Sequence, residues 1–152
     1  MNRHDEEFLP PGTAGRLDHV GIAVKDLEAG IALYRDLLGL ELESTEEVPQ
    51  EQVRVAFLKL DRTGSAGHVE LLAPLGPDTP VGKFLAKNGP GLHHVAYAVD
   101  DIDSALARIA AAGIELIDSE PRVGIRDSRV AFLHPRSTGG VLTEIVEPAG
   151  GH

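Results

Sequence analysis

The sequence predicts an α+β fold made of two tandem β-α-β-β-β modules. Two observations carry this. The chain repeats itself, residues 17–42 (LDHVGIAVKDLEAGIALYRDLLGLEL) aligning with 92–116 (LHHVAYAVDDIDSALARIAAAGIEL). Each copy also passes from strand-like alternation into an amphipathic helix with its own start and stop signals. The repeat keeps register: 75 positions separate His19 from His94 and Asp26 from Asp101, and 74 separate Gly39 from Gly113 and Glu70 from Glu144. One position is lost within the helix.

Residues 1–15 (MNRHDEEFLPPGTAG) lack periodicity and read as a disordered N-terminal arm. A single domain follows over 16–148: module one at 16–75, a linker helix within 76–90 and module two at 91–148. In module one, Asp26 serves as N-cap, Leu27, Ile31, Tyr34 and Leu38 share a helix face, and Gly39 ends the helix. In module two, Asp101 caps, Ile102, Leu106 and Ile109 share a face, and Gly113 closes. Short strands are expected next at 40–43 and 114–117, then irregular polar stretches, then strands at 54–60 with 68–73 and at 129–133 with 141–146. Between the modules, Thr79 followed by Pro80 starts a helix that Asn88-Gly89-Pro90 stops.

Composition narrows the chemistry. The 152 residues are 42% apolar and 25% charged, with mean hydropathy −0.06, values of an ordinary soluble domain. No run is apolar enough to span a bilayer, so no membrane partner is expected and a cytoplasmic place is. With no cysteine there is no disulfide, thiol nucleophile or Cys-held metal. A net charge of −10, 4% aromatic residues and no Trp argue against nucleic acid.

The seven His direct attention to the first strands. Side chains alternate, so His19 shares a face with Gly21 and Ala23, and His94 with Ala96 and Ala98. A face of His and small residues leaves room for something other than packed side chains. The last strand of each module adds an acid, Glu70 or Glu144, among apolar neighbours, where a carboxylate is costly unless paired or bound to a cation. Two imidazoles and two carboxylates suit Zn2+, Co2+, Mn2+ or Fe2+ and neutralise a divalent charge, with positions left open for a ligand. His19, Glu70, His94 and Glu144 are therefore the expected metal ligands. His93 takes the place of Asp18 in the repeat; His4, His68 and His152 read as incidental, and His134 has no repeat counterpart.

The strings DHVGIAV (18–24), VELLAPLGPDTPVGKFLAKNGPGLHHVA (69–96) and FLHPRSTGGVLTEI (132–145) resemble the methylmalonyl-CoA epimerase family of the vicinal oxygen chelate superfamily, over residues 17–146. The resemblance implies modules that form a concave mixed sheet around a metal site. It also implies a homodimer that interconverts (2R)- and (2S)-methylmalonyl-CoA, a CoA thioester, in propionate and branched-chain metabolism. The ion would be Co2+, Zn2+ or Mn2+ on His19, Glu70, His94 and Glu144, and the reaction removal of the C2 proton to give a metal-stabilised enolate. Some family members hold Gln where Glu70 stands, and several carry a Glu in the strand after an EQGVR-like string. Here that run is EQVRVAF, with Val55 at the Glu position. Glu144, with Glu47 and Glu51 from an acidic loop at 41–51, are the expected proton-transferring groups. Lys83 and Lys87, four apart on the linker helix, together with Arg126, Arg129 and Arg136, are the expected contacts of the CoA phosphates. The competing readings are a glyoxalase I-like lyase or isomerase of the same architecture and a non-enzymatic ligand-binding resistance protein.

Overall fold

The computed structural model describes residues 14–151, so all but the last two residues of the expected N-terminal arm, with His4 and His152, lie outside the described residues. The described chain divides into two compact units, one of His19–His93 and one of 94–151 with 14–18.

In the first unit the strand order is β2-β3-β4-β1, from β1 (Arg16–Ala23), β2 (Glu41–Val48), β3 (Val53–Lys59) and β4 (His68–Pro74). Strands β2, β3 and β4 are antiparallel, and β4 lies parallel to β1. The Asp26 carboxylate accepts the Ala29 N–H at 3.1 Å and starts α1 (Leu27–Ile31). Leu27 and Ile31 pack on Ala56, Leu58, Val69, Leu71 and Ala73, with Val20, Ile22, Val24 and Leu42 at the margin. Alternation then sends His19, Gly21 and Ala23, with His68, Glu70, Leu72, Val53, Val55 and Phe57, to the opposite face.

Expectation and structure part company after Ile31. Residues Ala32–Leu37 turn more widely than an α-helix, the Leu38 N–H donating to the Leu33 carbonyl five residues back. A wider turn rotates the face, so Leu38, expected inside, is 58% exposed and Tyr34 is half-buried. The wide turns fall where module one has its extra residue: 13 positions run from Asp26 to Gly39 but 12 from Asp101 to Gly113. The insertion is absorbed as π-type turns, and Gly39 (φ 79°) still closes the helix.

Helix α2 (Pro80–Asn88) forms where expected. The Thr79 hydroxyl accepts the Gly82 N–H at 3.0 Å and donates to the Gly76 carbonyl at 2.7 Å, and Gly89 ends the helix at φ 75°.

In the second unit the order is β5-β8-β7-β6, from β5 (Gly91–Ala98), β6 (Arg122–Val123), β7 (Arg129–Leu133) and β8 (Thr143–Glu147). Strands β5 and β8 are parallel, the other pairs antiparallel. Asp101 caps α3 (Ile102–Ala111), whose Ile102, Ala105, Leu106 and Ile109 pack on Val99, Ala131, Leu133 and Ile145. The strand expected at 114–117 shrinks to a single bridge, Leu116 to Leu133. The Asp118 carboxylate takes the Phe132 N–H at 2.8 Å, in place of a ladder carbonyl, and Pro121 has no N–H to offer before β6. Among the described residues no helix is long and apolar enough to cross a membrane.

Candidate functional site

The first unit presents a His–carboxylate pair on the face turned away from α1. Register places Gly21 of β1 and Phe57 of β3 on either side of Glu70. With no side chain at Gly21, the Glu70 carboxylate lies toward His19, Oε1 3.7 Å from Nε2. Both residues are buried. Phe57 meets the His19 ring edge to face, centroids 5.4 Å apart and planes at 71°. The second unit builds the same arrangement from its own residues. Ala96 and Phe132 flank Glu144, whose Oε1 lies 3.5 Å from His94 Nε2, and Phe132 meets His94 at 5.4 Å and 83°.

Separations of 3.5 and 3.7 Å exceed a good N–H···O bond. Two donors held tetrahedrally on one ion by bonds of about 2.1 Å stand roughly 3.4 Å apart. Each pair thus has the spacing of neighbouring ligands, and the donor chemistry fits a divalent ion of the zinc or cobalt kind. The phenylalanines escaped the sequence reading, although 75 positions separate Phe57 from Phe132 as they do His19 from His94. The offset is 74 at Gly39 and Gly113 and again at Glu70 and Glu144, so the intervening shift of one position hides the phenylalanines from the repeat.

The expected proton-transferring groups are distributed differently. The supposed loop at 41–51 is largely strand β2 followed by a turn, so its residues alternate. Glu47 pairs with Arg54 on the helix side, where the Arg54 guanidinium lies 3.8 Å from Glu28. It is on the wrong face to meet His19 and Glu70. Glu51 sits in the turn after β2, its N–H donating to the Val48 carbonyl at 3.0 Å. A bulge between Leu42 and Ser44 instead turns Glu43 to the site face, 3.7 Å from His68 Nε2. His68, expected to be incidental, is buried there and stacks on Phe57 at 4.5 Å.

Of the expected phosphate contacts, Lys83 and Lys87 lie exposed on α2, and Arg126 is exposed at a left-handed position (φ 58°). Arg129 is committed elsewhere. Its guanidinium donates twice to Asp103, at 2.9 and 3.1 Å, and approaches Glu147 at 3.6 Å, the Asp103 hydrogen bonds holding its pKa above the usual arginine value. Arg136 donates to Glu115 at 3.1 Å. The remaining imidazoles have structural contacts, His134 accepting the Arg136 N–H at 3.1 Å and His93 meeting Phe84 edge to face.

A fold of paired β-α-β-β-β units, each with a buried His and carboxylate on its first and last strands, defines a metal-chelating class. The family model of the Glyoxalase/Bleomycin resistance protein/Dioxygenase superfamily matches residues 18–132, and the chain belongs to that superfamily. Within it, the chain is 44% identical over 133 residues to the ethylmalonyl-CoA/methylmalonyl-CoA epimerase of Cereibacter sphaeroides, covering 86% of this chain and 96% of the relative. Methylmalonyl-CoA epimerase from Mycobacterium tuberculosis is 40% identical, with a TM-score of 0.87 and 96% of each chain covered. A variant of the Streptomyces coelicolor enzyme in complex with 2-nitronate-propionyl-CoA is 43% identical, with a TM-score of 0.85, covering 90% of this chain and 96% of that one.

Proposed function

We propose that this chain is a methylmalonyl-CoA epimerase that inverts C2 by removing and returning its proton, with the aid of a divalent ion. The observation that carries the reading is the duplicated buried pair in a chain 44% identical to an epimerase of alkylmalonyl-CoA thioesters. The donors are His19, His94 and Glu144, with Glu70 added through its pairing with His19. Two neutral imidazoles and two carboxylates balance the charge of such an ion.

When bound, the ion supplies Lewis acidity where negative charge develops on the thioester oxygen. The chain's residues do the rest. His19 and His94 act as neutral donors, their rings held against the edges or faces of Phe57 and Phe132. Burial of the carboxylates keeps water from competing for them. Glu144 is the proton-transferring group assigned to module two, and the exposed Lys83, Lys87 and Arg126 are assigned to the CoA phosphates. A homodimer, a cytoplasmic place and a role in propionate metabolism belong to the same reading.

The test is C2 exchange. Purified protein is incubated with (2R)- or (2S)-methylmalonyl-CoA in deuterated water, with and without a chelator. Deuterium uptake at C2 with loss of optical purity, abolished by the chelator and restored by Co2+ or Zn2+, is expected. No exchange in metal-loaded protein, with turnover of the methylglyoxal–glutathione adduct, transfers the chain to the glyoxalase I-like reading.

A further inference from the structure

Inversion at C2 needs a group able to take a proton from a carbon, and within the first unit the site face offers a short choice of acids. Glu70 lies beside His19 and Glu43 beside His68. Glu41 stands 3.8 Å from Lys59 Nζ. Glu46 differs from all three. It is the register partner of Val55 on the β2–β3 pair, so it shares the face of Phe57 and Glu70, one step along the strand and two strands across from Glu70. It is half-buried, while its chain neighbours Thr45 and Glu47 are exposed. Val48 and Val55 adjoin it on that face, and among the described residues its carboxylate has no hydrogen-bond or ion-pair partner.

A half-buried, uncommitted carboxylate with aliphatic neighbours is expensive as a structural device and well suited to accept a proton. Two inter-strand spacings separate its backbone from that of Glu70 by about 10 Å across the sheet. The second module does not repeat the feature. There the register partner of Val130 is Arg122, hydrogen-bonded to Asp118 at 3.1 Å and lying over the Phe132 ring at 5.7 Å. Since 75 positions separate Val55 from Val130, the two modules place opposite charges at equivalent points.

We infer that Glu46 is the catalytic base of module one. The inference rests on the epimerase reading above. In the step assigned to it, the C2–H bond breaks, the proton passes to the Glu46 carboxylate, and the electron pair moves onto the thioester carbonyl. A second acid then delivers a proton to C2 from the other side, and exchange with water returns both groups to their starting states. In the reverse direction Glu46 gives its proton and the second group accepts one.

The test follows deuterium uptake at C2 from each epimer separately, comparing metal-loaded wild type with Glu46→Gln. Wild type exchanges both epimers; if it exchanges neither, the epimerase reading and this inference fall together. Glu46→Gln is expected to slow exchange of one epimer by about 100-fold or more while the other stays within a few-fold. Equal exchange by both proteins removes Glu46 from the mechanism while leaving the epimerase reading intact. Equal loss for both epimers marks damage to binding or metal retention and likewise overturns the assignment. Glu46→Asp keeps the carboxylate on a shorter arm and is expected to slow the same epimer, by less. That pattern holds even if the Gln variant folds poorly, and its absence counts against the inference.

Discussion

Phe132 stands edge-on to His94, ring centroids 5.4 Å apart, and Phe57 repeats the contact on His19 at the same distance. A ring edge carries partial positive charge and a ring face negative, so crossed planes are a favourable way to hold an imidazole without taking up its nitrogens. Each module thereby fixes its own His.

Phe57 is almost fully buried, touching both His19 and His68, whereas Phe132 is half-buried. Phe57→Ala is expected to cost about 3–5 kcal/mol by urea denaturation and Phe132→Ala clearly less. Equal losses would mean that burial does not set the difference.

One divalent ion per chain is expected by titration with Co2+ or Zn2+ against a competing chelator. Substitution of His19 or of His94 by Ala should each abolish tight binding, because both belong to the proposed donor set. Two independent ions per chain, or tight binding surviving either change, would separate the two pairs.

The wide turns at Ala32–Leu37 hold the residue by which module one exceeds module two. Deleting Leu37, which is 74% exposed, should allow an ordinary α-helix like that of α3. The Tm is expected to stay within about 4 °C of wild type, the shift of roughly 1 kcal/mol in a chain of this size. A much larger drop would show that the wide turns are needed by the packing.

At Gly82 a Cβ would lie 2.6 Å from the carbonyl oxygens of both Gly76 and Pro77, backbone atoms that cannot swing aside. Gly82→Ala should destabilise the protein by about 1–3 kcal/mol in thermal or urea unfolding. Gly39→Ala meets no atom, and its expected loss comes from backbone strain at φ 79° alone.

Much of this molecule was legible before any coordinates. Cap residues act through atoms three positions away, which is why Asp26, Thr79 and Asp101 announced their helices. The His–Glu quartet was legible because the repeat wrote it twice. Boundaries in module two were less so. The Asp118 side chain stands in for a ladder carbonyl, a substitution that leaves no trace in hydrophobic periodicity.

Sequence by itself determined the duplicated topology, the caps and the buried His–Glu pairs, since local hydrogen bonding and alternation depend on nearby residues. Only the tertiary structure decided which acids of β2 turn to the face of His19 and Glu70. Strand side chains alternate, so the one-residue difference between Glu46 and Glu47, and the bulge that turns Glu43 inward, reverse their roles. That choice belongs to the pairing of β2 with β3, which no single segment contains.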